Sequence, residues 1–427
     1  MKKDIEPVEF LTSLFDAAVD EAQPEKVISR FLPQKPKGRV IVVGAGKGSA
    51  QMGRAFERAW IDTHGDAVEG VIVTRYGYAC ECEHIEILEA AHPVPDEAGL
   101  EGAKRLLETV SGLSEDDLVV ALVSGGGSAL LPCPPSGLTL AHEIAVNEAL
   151  LASGAPISAM NTVRKHVSGI KGGRLAEAAH PAKVASLLVS DIPGDHPQYI
   201  ASGPTVADEG TREDALAIIN QYAMKLPEAV MVHIQSPRAD APLPNDAKLA
   251  NAEHHIIASA AKSLEAAQTL AQSYGIETHI LSDAIEGEAR EAARTQAAIA
   301  KEIRHRDRPF KKPVLLLSGG ETTVTLKGNG RGGRNTEFLL SFAIEIAGEQ
   351  GIELLCADTD GIDGSENNAG AFVNGESAIA MRDAGLDPVA YLQNNDAYTA
   401  FDKIGALFIP GPTGTNVNDF RALLITG

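Results

Sequence analysis

The sequence predicts an α/β protein of two lobes, each a mostly parallel or mixed sheet layered with helices (α/β/α), with the active site in the cleft between them. Three observations predict it. Strand-like and helix-like runs alternate almost from end to end. The strand-like runs are nearly continuous in apolar residues, as in sheets covered on both faces. The 427 residues suffice for two or three domains at roughly 150 residues each.

The elements follow in order. Arg39–Val43 (RVIVV) reads as a short buried strand, and Ser49–Ala59 after it repeats apolar residues at helical spacing. Gly70–Thr74 (GVIVT) and Leu118–Val123 (LVVALV) are further strands, the second followed by a loop and a helix over Leu140–Leu151. Val184–Val189 and His255–Ala258 continue the strands, and Lys262–Gln272 and Glu286–Ile303 read as helices rich in Ala and Glu. Val314–Leu317, Ile352–Ala357 and Ala406–Ile409 complete the strand set. Pro227–Asp246 holds four prolines and little periodicity, so it reads as the connection between a Rossmann-like first domain, 1–240, and a second, 250–427. Arg304–Pro313 (RHRDRPFKKP) reads as a solvated turn before a strand.

Charge and composition narrow the function. Thirty-seven Lys and Arg stand against 58 Asp and Glu, giving −21, so non-specific binding to nucleic acid or anionic membrane is disfavoured. An anionic ligand would need a local pocket opposing that field. Acids interrupt the opening MKKDIEPVEFLTSLFDAAVDEAQ, which therefore does not read as a signal peptide. No apolar run reaches the roughly 18 residues of a membrane span. Cys80, Cys82, Cys133 and Cys356 form neither a disulfide framework nor a CxxC pair, which fits a reducing cytoplasm.

The 41 glycines are about one residue in ten, above the norm of about 7%. They concentrate after predicted strands: Gly44-Ala45-Gly46-Lys47-Gly48, Ser124-Gly125-Gly126-Gly127-Ser128, Ser318-Gly319-Gly320-Glu321-Thr322, and Lys327–Arg334 (KGNGRGGR). Such turns let a ligand approach backbone N–H groups, which hold phosphate oxygens without a globally positive protein. In open α/β sheets, ligands bind at the carboxyl ends of strands. A Walker A pattern is absent. The dinucleotide fingerprint fails at Ser49, and the next strand ends Thr74-Arg75 with no acid for a ribose, which argues against a nicotinamide enzyme.

Acids follow two strands: Asp191 and Asp195 after Val184–Val189, and Asp358, Asp360 and Asp363 after Ile352–Ala357. Carboxylates facing phosphate loops suit Mg²⁺, which takes one or two carboxylates plus waters and phosphate oxygens. Asp191 and Asp360 are the metal candidates, while Asp363 reads as a turn residue. Lys47, Arg164, Lys165, Lys171, Arg174, Arg331 and Arg334 lie beside glycine-rich or strand-end segments, and this placement points to an anionic ligand. His92, His166 and His196 could each be structural, and His92, in a His-Pro turn, reads as positional. A faint internal echo, LVSGG at 122–126 and LLSGG at 316–320 with a GGR after each, suggests two lobes of related logic.

Taken together, GAGKGSAQMGRA (44–55), AHPVPDEAGLEGAKRLLE (91–108), LVSGGGSALLPCP (122–134), MNTVRKHVSGIKGGRLA (160–176), SDIPGDHPQYIASGPTVAD (190–208), LSGGETTVTLKGNGRGGRNTEFLLSFA (317–343), DTDGIDGSENNAGAFV (358–373) and GPTGTNVNDFRALLI (411–425) resemble the glycerate 2-kinases with a C-terminal MOFRL domain. That family is also known as hydroxypyruvate reductases. The resemblance spans essentially the whole chain. It implies ATP- and Mg²⁺-dependent phosphorylation of D-glycerate to 2-phosphoglycerate, with a MOFRL domain over about residues 312–420. It places the family's essential lysine on Lys47, its arginine on Arg334, and its acids on Asp191 and Asp360. Asp191 is the candidate base as well as a metal ligand. Gly44, Gly46, Ser124–Ser128 and Ser318–Thr322 are expected to hold ATP. The family has Gln where this chain has Thr336, which leaves Arg334 intact. The expected partners are small molecules, with a homodimer as one option. An NAD(P)H-dependent hydroxypyruvate reductase is the alternative.

Overall fold

The computed structural model describes residues 6–427; part of the leader reading falls on residues 1–5, outside the described residues. The chain divides into two compact units. The inserted unit is Pro24–Ile257, and the terminal unit joins residues 6–23 to Ala258–Gly427.

The inserted unit carries β1 (Val40–Ala45), β2 (Glu69–Arg75), β3 (Ile85–Ala90), β4 (Leu118–Val123), β5 (Lys183–Val189) and β6 (Ala252–Ala258), in the order β3-β2-β1-β4-β5-β6. β1 to β5 pair in parallel. This is the doubly wound order, and its direction reverses between β1 and β4, where such sheets open a ligand crevice. Every residue of β1 and β4 is buried, as continuous apolar runs require. Ala45 pairs with both Val73 and Val123, so the chain leaves β1, β2 and β4 at one end of the sheet. The helix Ser49–His64 follows β1 directly, burying Met52, Ala55, Phe56 and Trp60 and ending at left-handed Gly65.

The terminal unit carries β7 (Glu277–Glu288), β8 (Val314–Thr323), β9 (Ile352–Asp358), β10 (Gly370–Asn374), β11 (Leu407–Phe408) and β12 (Asp419–Ile425), in the order β11-β10-β9-β12-β8-β7. β7 and β8 are parallel, whereas β12 is antiparallel to both β8 and β9, so the sheet is mixed. The helix Pro7–Glu21 buries Phe10, Leu11, Leu14, Phe15, Ala18 and Val19 in the core of this unit with Leu264, Leu315, Leu355 and Phe420.

Several expectations change here. Pro227–Asp246 is not the crossing between units. It contains the helix Glu228–Ile234, whose Val230 and Ile234 pack with Val146, Leu150 and Val163 inside the inserted unit. Two of its four prolines sit at helix starts, Pro227 as N-cap and Pro237 in the first turn of a 3₁₀ helix, where a fixed φ is favourable. The chain crosses at Gln23/Pro24 and Ile257/Ala258, so the first helix belongs with the C-terminal half rather than with a 1–240 domain. Glu286–Glu288 ends β7, and the following helix starts at Ala289. No helix among the described residues is long and apolar enough to cross a membrane.

Candidate active site

In the inserted unit the turn after β1 packs onto the turn after β4. A Cβ at Gly44 would collide with the Leu122 carbonyl, and one at Gly46, whose φ is +146°, with Ser124 Oγ. Gly46 N–H donates to Val73 O (3.2 Å), Lys47 N–H to Gly125 O (2.9 Å) and Gly48 N–H to Ser124 Oγ (3.0 Å). Thr74 Oγ1 donates to Gly46 O at 3.1 Å. Gly44 and Gly46 therefore serve close packing, and the N–H groups of residues 46–48 are already used. This corrects the expectation that Gly44 and Gly46 offer backbone N–H groups to a nucleotide.

The turn after β4 differs. Among the described residues, the N–H groups of Gly125 and Gly126 have no protein partner. Three side chains from three other segments crowd these two glycines. A Cβ at Gly125 would fall on the Asp191 carboxylate. One at Gly126 would lie 2.9 Å from His92 Nε2 and 3.3 Å from Lys47 Cγ. Lys47, His92 and Asp191 thus converge on unpartnered backbone donors. Lys47 makes no ion pair among the described residues. His92 is pulled down to about 4 by burial first and then by Lys47 and Arg75, so its imidazole is neutral at pH 7. Its turn is fixed by Asp96, which accepts from Ala91 N–H (3.2 Å) and Gly99 N–H (3.0 Å). The sequence reading assigned His92 to position alone; its closeness to Lys47 comes only from the fold. Beyond the loop, Ser128 and Ser202 hydroxyls meet at 2.9 Å, and Ser202 donates to Asn161 Oδ1 at 2.8 Å.

The other basic candidates of this unit are structural. Lys165 is buried in an ion pair with Asp208. Lys171 is buried 2.6 Å from Glu143 and donates to Leu131 O at 2.9 Å. Arg174 donates to the carbonyls of Lys165, Lys171, Ala239 and Asp240. Arg164 is held by Asn147 and Asn161. His166, pulled down to about 4 chiefly by burial, donates from Nδ1 to Thr162 O at 2.7 Å.

In the terminal unit Arg334 opens the helix Arg334–Glu345. Its Nε donates to Asp419 Oδ1 (2.8 Å), Nη2 to Asp358 Oδ2 (2.7 Å) and Nη1 to Glu321 Oε1 (3.2 Å). Burial opposes its charge, yet the carboxylates of Asp419, Asp358 and Glu321 outweigh that and raise its pKa. Burial pushes the Asp358 carboxyl up while Arg334 pulls it back. Asp419 also accepts from Arg421 Nη2 at 2.6 Å and from Asn335 Nδ2 at 2.9 Å. Buried Asp363 accepts from the N–H groups of Asn335 (2.9 Å) and Thr336 (2.8 Å), so it caps the helix instead of facing a ligand. Half-buried Asp360 holds its own turn, accepting from Ile362 N–H at 2.8 Å.

Ser318–Thr322 was expected as a phosphate loop and is instead the second half of β8. Ser318–Gly320 pair with Asp419–Arg421 of β12 on one side, and Ser318, Gly320, Glu321 and Thr322 pair with Ser282, Ile285, Glu286 and Gly287 of β7 on the other. Paired on both edges at Ser318 and Gly320 and on the β7 edge at Glu321 and Thr322, this backbone is extended strand rather than a nest. A Cβ at Gly320 would strike Ile285, so this glycine admits the irregular β7 backbone. The glycines of 327–334 likewise lie against Asn394, Asp396 and Asp363, and Arg331 pairs with Glu366.

Asp358 and Asp419 were not chosen from the sequence, which favoured Asp360. The signal was present, since both acids end or begin apolar strands. That the two strands are neighbours, pairing Asp419 with Asp358, is a long-range fact.

Comparisons with known proteins bear on these residues. Residues 10–235 match a family model described as a domain of unknown function (DUF4147), and residues 314–419 match the MOFRL family. An Agrobacterium vitis protein named "Putative hydroxypyruvate reductase" is 52% identical, over 99% of this chain and 95% of that one. The D-glycerate 2-kinase of Thermotoga maritima is 43% identical, over 96% of each chain. The crystal structure of glycerate kinase from Thermotoga maritima matches with a TM-score of 0.88 at 42% identity, covering 98% of this chain and 99% of that one.

Proposed function

The chain belongs to the family of glycerate kinases, and on that premise we propose that it transfers a phosphoryl group from ATP to the 2-hydroxyl of D-glycerate. The observation that carries this reading is the convergence of Lys47, whose amine has no ion-pair partner among the described residues, on the unpartnered N–H groups of Gly125 and Gly126. That arrangement is built for phosphate oxygens.

Phosphoryl transfer is mainly positioning and charge stabilisation. In this reading the Ser124–Ser128 turn holds phosphate oxygens and Lys47 neutralises charge that develops on the transferring group. Asp191, against Gly125, accepts the proton of the attacking hydroxyl. Neutral His92 gives the same turn a donor or acceptor that adds no charge. Arg334 presents a guanidinium whose orientation three carboxylates fix, suited to a carboxylate or phosphate.

Hard carboxylate oxygens, those of Asp191 in the inserted unit and separately those of Asp360 in the terminal unit, each suit a divalent cation such as Mg²⁺. No group of three or more His, Cys, Asp or Glu forms a ready-made cage among the described residues, so phosphate oxygens would complete the coordination. When bound, the ion would neutralise phosphate charge. The four free cysteines agree with the cytoplasmic location we propose.

Incubation with D-glycerate, ATP and Mg²⁺, with the product identified by ³¹P NMR, tests the reading, and NADH consumption with hydroxypyruvate is followed in parallel. 2-Phosphoglycerate formation is expected. ADP without phosphoglycerate, or NADH oxidation alone, overturns it. The second outcome would instead support the activity that the name of the Agrobacterium relative suggests.

A further inference from the structure

Cys80 and Cys82 take no part in the site above. They lie in the irregular segment between β2 and β3, half-buried on either side of exposed Glu81. The segment is pinned around them. Glu89 accepts from the N–H groups of Gly77 (2.6 Å) and Ala79 (3.3 Å), and Gln51 Nε2 donates to Tyr78 O at 3.1 Å. Glu57 accepts from the N–H groups of Glu83 (2.7 Å) and His84 (2.6 Å). These anchors leave residues 80–82 as a short span with both ends held.

Within that span the two thiols are close enough to influence each other's titration, and Cys82 Sγ packs against the helix Ser49–His64 at Gly53. Arg54 and Arg58 face them from the helix Ser49–His64, with Glu25 and Glu57 as opposing charges. Interaction with the Cys82 thiol draws the Cys80 thiol down to about 7 against its burial, and Arg54 and Arg58 assist. Cys82 is pushed up, first by its interaction with Cys80 and then by burial. Burial pushes Cys133 and Cys356 up as well, which makes them poor nucleophiles. Disulfide geometry requires Cα atoms within about 7 Å, and residues two apart cannot be separated by more than roughly that distance.

We propose that Cys80 and Cys82 are a modification site, a thiol pair that hydroperoxides oxidise to an intramolecular disulfide. The Cys80 thiolate attacks one oxygen of hydrogen peroxide. The O–O bond breaks, Cys80 becomes a sulfenic acid, and the departing hydroxide takes the Cys82 proton to become water. The Cys82 thiolate then attacks the Cys80 sulfur, the S–O bond breaks, and hydroxide leaves to be protonated by solvent. Two thiol sulfurs lose two electrons in all, and the peroxide oxygens gain them.

The test treats the full-length protein with one equivalent of hydrogen peroxide, alkylates remaining thiols, and maps peptides by mass spectrometry without reduction. The peptide holding both residues is expected to lose two hydrogen atoms, about tenfold faster than Cys133 is modified, and to regain them with dithiothreitol. In Cys82→Ser, Cys80 should stop at a sulfenic acid that dimedone traps. In Cys80→Ser, Cys82 should stay alkylatable. The proposal is overturned if both thiols remain alkylatable after Cys133 has reacted, or if Cys80→Ser leaves Cys82 oxidising at the wild-type rate. Because the readout is the mass of one peptide, it stands or falls separately from the kinase reading.

Discussion

Lys47 and Arg334 are both cations beside glycine-rich turns, yet their surroundings differ in kind. Lys47 lies on a loop whose own N–H groups are spent on packing, and its amine is left without an ion pair among the described residues. Arg334 has every nitrogen of its guanidinium committed to a carboxylate, two of them from buried Asp358 and Asp419. One residue is held in reserve for a ligand. The other organises a protein network before any ligand arrives. A cation's nearness to glycine therefore says little about its role until its partners are known.

Arg334→Ala is the largest break in that comparison. Removing the cation leaves Asp358 and Asp419 buried with less compensation, at a cost of about 3 kcal/mol or more. Activity with glycerate should fall about 10³-fold, and urea unfolding followed by circular dichroism should show the loss of stability. Arg334→Lys should recover little, because an ammonium cannot address three carboxylates through one planar fork. Wild-type stability in Arg334→Ala would refute the network reading.

Lys47→Met is the sharper half of the pair. It should lower kcat/KM about 10²- to 10³-fold while stability stays within about 0.5 kcal/mol of wild type. If Lys47→Met lost as much stability as Arg334→Ala, the contrast between the two cations would collapse.

Gly125→Ala comes next. The new methyl must displace the Asp191 carboxylate, so kcat should fall about tenfold to a hundredfold with little change in Tm. Unchanged kinetics would mean that the position of Asp191 does not matter to the reaction.

The smallest effect separates the units by pH. His92 and His166, both in the inserted unit, have folded pKa values near 4, below the ordinary value of about 6.5. The folded state therefore binds fewer protons than the unfolded state between those values. Their contribution is fully present above about pH 6.5 and is lost as pH falls toward 4. From pH 7 to pH 5 the inserted unit should lose about 2 kcal/mol from buried His166 and a smaller amount from half-buried, more screened His92, read as a lower urea midpoint from the fluorescence of Trp60. That buried side chain is the molecule's single tryptophan and lies in this unit. An unmoved midpoint would show that neither histidine is buried neutral.

Much of the fold was legible because local pattern carries it. β1, β4 and β5 are apolar runs that only a sheet covered on both faces can accommodate, and the glycine-rich turns mark where they end. Legibility failed where a residue's environment comes from distant chain. Ser318–Thr322 has turn composition, but pairing with β7 and, at Ser318–Gly320, with β12 makes it a strand. The four prolines of residues 227–246 look like a linker, yet two of them start helices. Among the candidate residues, Lys47 and Asp191 meet at one turn, whereas Lys165, Lys171 and Arg174 are consumed by Asp208, Glu143 and carbonyl groups far away in sequence.

By itself the amino-acid sequence determined the layered α/β class, the acidic charge that disfavours nucleic acid and anionic membranes, and, through motifs shared with the glycerate kinases, Lys47, Asp191, Asp360 and Arg334 as residues to watch. The first two follow from composition and periodicity and the last from the family resemblance, and none needs knowledge of what lies across the sheet. Only the tertiary structure decided which unit the first helix joins, which glycines admit neighbouring backbone and which leave N–H groups unspent, and which cations already have partners. Burial, pairing and the pKa shifts they cause depend on contacts between residues dozens to hundreds of positions apart, and no local pattern encodes them.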